Sequence, residues 1–154
     1  MLLENCHLFS GLSSSRLARI RALAEEKSVT KGALLYREEA TAESVFLLKK
    51  GAVELWSQMD ERIELPVTIV REGGRCFGTA ALVAPYRYTL TAKCAEDALL
   101  LAIPAEGLFQ LMEEDRELGC VVMGNLASHF LSRLKETREE LKIHFRTLFR
   151  SIQF

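Results

Sequence analysis

Three glycines within six residues, in Gly73-Gly74-Arg75-Cys76-Phe77-Gly78, dictate a backbone that turns sharply near the middle of this chain. Glycine alone visits positive φ without a steric penalty, so such a cluster fixes corners rather than a helix or long strand. Phe77 supplies the side chain that ties the corner to a core. Thr79-Ala80-Ala81-Leu82 follows, and its composition predicts one short helical turn capped by Thr79. Backbone N–H groups bared at such a turn suit an anion. Arg87, a few residues on, carries the planar fork that matches a phosphate. The candidate ligand-binding residues are therefore Phe77, Gly78, Thr79, Ala80 and Ala81, with Arg87, Tyr88 and Thr89. Tyr86 and Tyr88 are expected first of all to pack.

Around that stretch lie short β-rich runs at 29–30, 33–36, 44–48, 52–57, 63–70, 88–95 and 99–103. They are punctuated by Gly32, Gly51, Asp60, Gly73-Gly74 and Glu96-Asp97. Many short strands with regular turns predict a rolled antiparallel sheet. Pro66 predicts an edge strand or a bulge. Helices flank the roll. A lead-in at 2–7 precedes a helix capped from Ser13-Ser14-Ser15, with Leu17, Ile20, Leu23 and Ala24 at helical spacing. Pro104 suits a first helical position, and Leu108, Leu111 and Met112 make a short apolar face.

A long helix is then expected from about Arg116 to Phe149. Its heptads place Ala127, Leu134, Leu141 and Leu148 at one seam position, with Leu131, Arg138, Phe145 and Ile152 at the other. Such a helix cannot hide against one small roll. Leu131, Leu134, Arg138, Leu141, Phe145 and Leu148 are expected at the interface of a parallel homodimer, with Arg138 snorkelling outwards. The division reads as one domain over 1–154, with N-terminal helices at 1–27, the roll at 28–103 and C-terminal helices at 104–154.

At 154 residues the chain can bury one substantial core. Its 20 basic and 21 acidic side chains leave a net charge of −1, so no global field favours nucleic acid or anionic membrane. Cys6, Cys76, Cys94 and Cys120 form no C-x-x-C pair and are expected as four free, mostly buried thiols. The first residues lack a signal-peptide pattern and no apolar run reaches transmembrane length, which predicts a cytoplasmic location and no membrane partner. Rolled sheets that bind metals need histidines clustered on strands, whereas His7, His129 and His144 all fall outside the predicted roll. Adjacency of Cys6 and His7 does not orient a nucleophile. Neither a metal nor a catalytic set is expected.

Several pieces in order, Leu8-Phe9-Ser10-Gly11-Leu12, Lys31-Gly32, Val45-Phe46-Leu47-Leu48-Lys49-Lys50-Gly51-Ala52-Val53, Gly74-Arg75-Cys76-Phe77-Gly78, and Ala92 with Ile103-Pro104, resemble the cyclic nucleotide-binding domain family. The resemblance runs from His7 to about Leu141. It implies an α+β fold with a jelly-roll type β-roll, and a non-enzymatic sensor or regulatory module. Its ligand would be cyclic AMP, cyclic GMP or another small anion.

The chain also departs from that pattern. Relatives usually carry a glutamate after Phe-Gly to bind the ribose hydroxyl, where this chain has Thr79. Their phosphate arginine usually stands six residues before the alanine matching Ala92; that position is Tyr86, and Arg87 comes one step later. Glu39 replaces the glycine of a Glu-Gly-Asp turn, which predicts a rebuilt or strained corner. The expectation is a degenerate site that binds cyclic AMP or cyclic GMP weakly or not at all. Two alternatives stand beside it: a dimerising protein-interaction domain without a nucleotide ligand, and the sensor fragment of a longer transcription regulator. Regulators of the family carry a helix-turn-helix after the long helix, and no such DNA-reading module is expected in the few residues ending Arg150-Ser151-Ile152-Gln153-Phe154.

Overall fold

The computed structural model describes residues 2–153. Single 3-10 turns at Leu3–Asn5 and His7–Phe9 lead into helix α1, Ser14–Leu23, whose Ser13 hydroxyl accepts the Arg16 N–H. Eight strands follow: β1 Glu25–Val29, β2 Leu34–Tyr36, β3 Ser44–Lys50, β4 Val53–Gln58, β5 Glu64–Val70, β6 Cys76–Phe77, β7 Thr91–Cys94 and β8 Ala98–Pro104. Helices α2, Ala105–Glu114, and α3, Arg116–Ile152, complete the chain. The strands form two antiparallel sheets, ordered β1-β8-β3-β6 and β2-β7-β4-β5. This is the expected α+β roll.

The core centres on β3 and β8, paired Val45 to Ile103 and Leu47 to Leu101. Residues 45–48 of β3 and most of β8 are buried without alternation; α1 and α2 pack on β8, and the turn at Thr79–Leu82 packs on β3. Strand β1 contradicts the expectation of helix to residue 27. Its Glu25-Glu26-Lys27-Ser28 side chains are exposed on a sheet edge, and the strand is held by backbone pairing to β8. A polar edge gives little periodic signal. Pro66 does lie on an edge strand, opposite a register shift between Leu55 and Trp56. Pro104 ends β8 and takes the N-cap position, so α2 begins one residue later than expected, and Ala24 lies just beyond α1. The 88–95 run shortens to Thr91–Cys94, because Tyr88 to Leu90 bend around the site described below.

The helices are locked at the α2–α3 junction. Arg16 Nε and Nη2 donate to the two Asp115 carboxylate oxygens at 2.8 and 3.1 Å, and Nη2 also reaches Glu117 at 3.0 Å. Asp115 caps α3 by accepting the Leu118 N–H at 3.1 Å. The Arg16 hydrogen bonds first, and the Leu118 N–H second, hold the Asp115 carboxyl below its ordinary range. A carboxylate depressed in the folded state stabilises above its unfolded pKa, and that contribution fades as pH falls through the folded value. Asp115→Ala will therefore lower Tm at neutral pH, with a deficit that shrinks in acid. A pH series of thermal melts checks this.

Helix α3 has 37 residues and is about 55 Å long. Only its first part meets the roll. Leu118, Val122 and Leu126 are buried, and the Asn125 amide donates to the carbonyls of Leu8 and Ser10. From Leu134 to Gln153 every residue is exposed, the apolar seam included. Arg138 makes no ion pair among the described residues. No helix among them is long and apolar enough to cross a membrane.

Candidate functional site

Gly78 sets the site. It follows β6 in the left-handed region, φ +72°, and a Cβ there would meet Tyr88 Cε1 at 3.2 Å and Phe46 Cδ2 at 3.3 Å. The chain then enters a 3-10 turn, Thr79–Leu82, whose cap position is Gly78 with no side-chain hydrogen bond. Thr79 is thus not the cap predicted for it; it sits inside the turn, buried. Gly78→Ala should cost about 1–3 kcal/mol from backbone strain and close contact. Chemical denaturation of the variant checks it.

The turn borders a cavity of about 270 Å³ between the roll and α3. Of the candidates, Phe77, Gly78, Thr79, Ala80, Tyr88 and Thr89 line it. Ala81 is buried inside the turn without lining the cavity, and Arg87 lies outside the lining. Arg87 is exposed, and its Nη1 donates to the Glu39 carbonyl at 2.8 Å. Glu39 has kept the replaced glycine's conformation, φ +68°, and its N–H bonds to the Tyr88 carbonyl at 2.8 Å. Arg87 therefore braces a strained corner.

The cations at the cavity are instead Arg75 and Arg133. Arg75 belongs to the glycine-rich stretch; Arg133 comes from α3 and is also paired to Glu136 at 2.9 Å. Sequence reasoning missed both, together with Tyr36, His129 and Phe130. The only signal for the α3 group was its helical spacing, since 129, 130 and 133 share one face.

One wall is aromatic. Tyr36 stacks on Tyr88 at 3.6 Å and 14°, Phe77 stacks on Phe46 at 5.4 Å, and the Tyr88 hydroxyl donates to the Ser44 carbonyl at 2.8 Å. Burial, then the neighbouring Tyr88, pushes the Tyr36 phenol well up, so it stays neutral. Tyr86 is not part of the wall; it lies edge-on to Phe109.

Beside the cavity the structure departs again from expectation. The His7 and His129 rings meet tilted at 31° with centroids 4.3 Å apart, and His7 Nε2 lies 3.8 Å from Cys76 Sγ. Burial lowers both imidazole pKa values, helped by Arg75 at His7 and by His7 and Arg133 at His129. Cys76 is held as a thiol by its hydrogen bond with Cys6 and by burial, so it is a weak nucleophile. The four cysteines are free; Cys120 is exposed and the others are buried. An apolar body against the aromatic wall, with negative charge towards two arginines, is what this cavity suits.

The profile of the cyclic nucleotide-binding domain family matches residues 26–115. A comparison with curated proteins finds no match. Among solved structures, a Geobacter metallireducens protein assigned to cyclic nucleotide binding is 31% identical, with TM-score 0.71 over 82% of this chain and 91% of that one. The Thermus thermophilus catabolite activator protein is 24% identical, with TM-score 0.76 over 89% of this chain and 62% of its own. The regulatory domain of Toxoplasma gondii PKA, crystallised with cAMP, is 20% identical, with TM-score 0.66 over 71% of this chain and 41% of its own. The last two are likenesses of fold. The matched residues and the Geobacter relative together place this chain in the cyclic nucleotide-binding domain family.

Proposed function

We propose that the domain is a non-enzymatic sensor whose cavity takes a small anionic ligand and binds cyclic AMP and cyclic GMP weakly or not at all. One observation carries this reading: Arg87 is spent on the Glu39 carbonyl, while Arg75 and Arg133 stand at the cavity. Thr79 supports it, since a hydroxyl replaces the ribose-binding carboxylate that relatives usually carry. The volume, about 270 Å³, falls just below the roughly 300–1,000 Å³ usual for a ligand pocket.

The output runs through α3. The helix that lends His129, Phe130 and Arg133 to the cavity continues into the exposed seam of Leu134, Leu141, Phe145 and Leu148. An anion drawing Arg133 inwards shifts the helix that also carries the homodimer contact. Differential affinity for two helix positions is what makes such a sensor switch. Cytoplasmic residence belongs to the same reading, because the buried cysteines are free thiols.

A thermal-shift and calorimetry screen of cyclic mononucleotides, cyclic dinucleotides and small anions tests it. Stabilisation by an anion other than cyclic AMP or cyclic GMP is the expected result. Submicromolar binding of either cyclic mononucleotide defeats the weak-site reading. A dimer that responds to no anion favours the second reading, a ligand-free interaction domain, which the exposed seam also supports.

A further inference from the structure

We propose that Cys6, His7 and Cys76 form a three-donor site for a thiophilic transition metal, Zn²⁺ foremost, at the edge of the cavity, with the fourth coordination position left to a water. The donor atoms of Cys6, His7 and Cys76 all lie within 4.8 Å of one another. Tetrahedral Zn²⁺ at about 2.3 Å from sulfur and about 2.0 Å from nitrogen requires donor separations of roughly 3.5–3.8 Å. The Cys76 Sγ to His7 Nε2 distance is already 3.8 Å. The rest of the set needs closure by about 1 Å at most, within the reach of side-chain rotation. His129 lies against the His7 ring, with centroids 4.3 Å apart, and helps to fix that imidazole in place.

Packing alone accounts for a buried cysteine. It does not account for two thiols and an imidazole brought together from the N-terminal turn and β6. Cys6 and Cys76 are 0% and 6% exposed, so the site is dry on the protein side. Two thiolates balance Zn²⁺, so no net charge is buried, and loading releases the two thiol protons to solvent. A sulfur and imidazole set selects Zn²⁺ or Cu⁺ over hard cations. The metal would clamp the lead-in turn to the roll beside the cavity.

The test is a titration of the reduced full chain with Co²⁺, in a reductant that does not coordinate metal. One equivalent should give a thiolate-to-cobalt charge-transfer band and tetrahedral visible absorption, both bleached by Zn²⁺. Cys6→Ser and Cys76→Ser should abolish the charge-transfer intensity that each sulfur contributes. His7→Gln should weaken binding on the order of tenfold or more. His7 is half-buried, so His7→Gln keeps the test open if a cysteine variant fails to fold. Cys120→Ser should change nothing. Absence of the charge-transfer band, or a band indifferent to Cys6→Ser and Cys76→Ser, overturns the proposal. A chain that takes up no Co²⁺ but joins Cys6 to Cys76 on mild oxidation overturns it in favour of a redox pair.

Discussion

Replacing Leu134 and Leu141 together by aspartate should convert the proposed dimer into a monomer. These leucines are 47% and 54% exposed in the single chain, on a helix segment that has left the roll behind. Fully burying a leucine contributes about 1.5–3 kcal/mol, and roughly half of that is still available to a half-exposed side chain. Two-fold symmetry counts each position twice, so the pair of changes removes about 3–6 kcal/mol before any carboxylate is desolvated. That is a weakening of about a hundredfold to ten-thousandfold. Light scattering at tens of micromolar reads it. The thermal melt of the roll should hardly move, because neither position touches it. A variant that stays dimeric would place the contact elsewhere, and a monomeric wild type would remove the seam from the account.

The second large effect is expected at the arginines. With an anion found by the ligand screen, Arg75→Ala plus Arg133→Ala should weaken binding at least a hundredfold. Each charged hydrogen bond contributes about 1.5–3 kcal/mol, and both donors are lost. Arg87→Ala, by contrast, should leave affinity within a few-fold and lower stability, since it frees the Glu39 carbonyl at a left-handed corner. Calorimetry on the three proteins separates the cases. If Arg87→Ala abolishes binding and the double variant does not, the family's phosphate contact has survived its change of register.

The fold was legible because its determinants are local. Glycine and acidic punctuation bounded most strands, Pro66 announced an edge, and Ser13 announced a helix start. What escaped was set by pairing at a distance. Glu25 to Ser28 become a strand only because β8 offers them a ladder. The site was half legible. The segment from Phe77 to Ala80 and the pair Tyr88-Thr89 came from one glycine-rich region and do border the cavity. The opposite wall did not. Heptad logic assigns α3 to a partner seam, yet a helix has a second face, and 129, 130 and 133 turn it to the roll. His7 and Cys76 met for the same reason, since no local pattern brings an N-terminal turn to β6. Arg87 was the opposite case: its chemistry argued for a phosphate although its register was one residue late, and the Glu39 carbonyl took its guanidinium.

The central claim is that this cavity has lost its hold on cyclic mononucleotides. A hydroxyl at Thr79 gives about 0.5–1.5 kcal/mol where a carboxylate gives about 1.5–3, which is roughly tenfold in affinity. The displaced arginine costs more, because bidentate geometry must be met on both oxygens. Calorimetry of cyclic AMP and cyclic GMP against the wild type, with Thr79→Glu alongside, tests this most directly. The account predicts dissociation constants in the high micromolar range or weaker, with no more than about a tenfold gain from Thr79→Glu. Submicromolar binding by the wild type, or a gain well beyond tenfold in the variant, would contradict it.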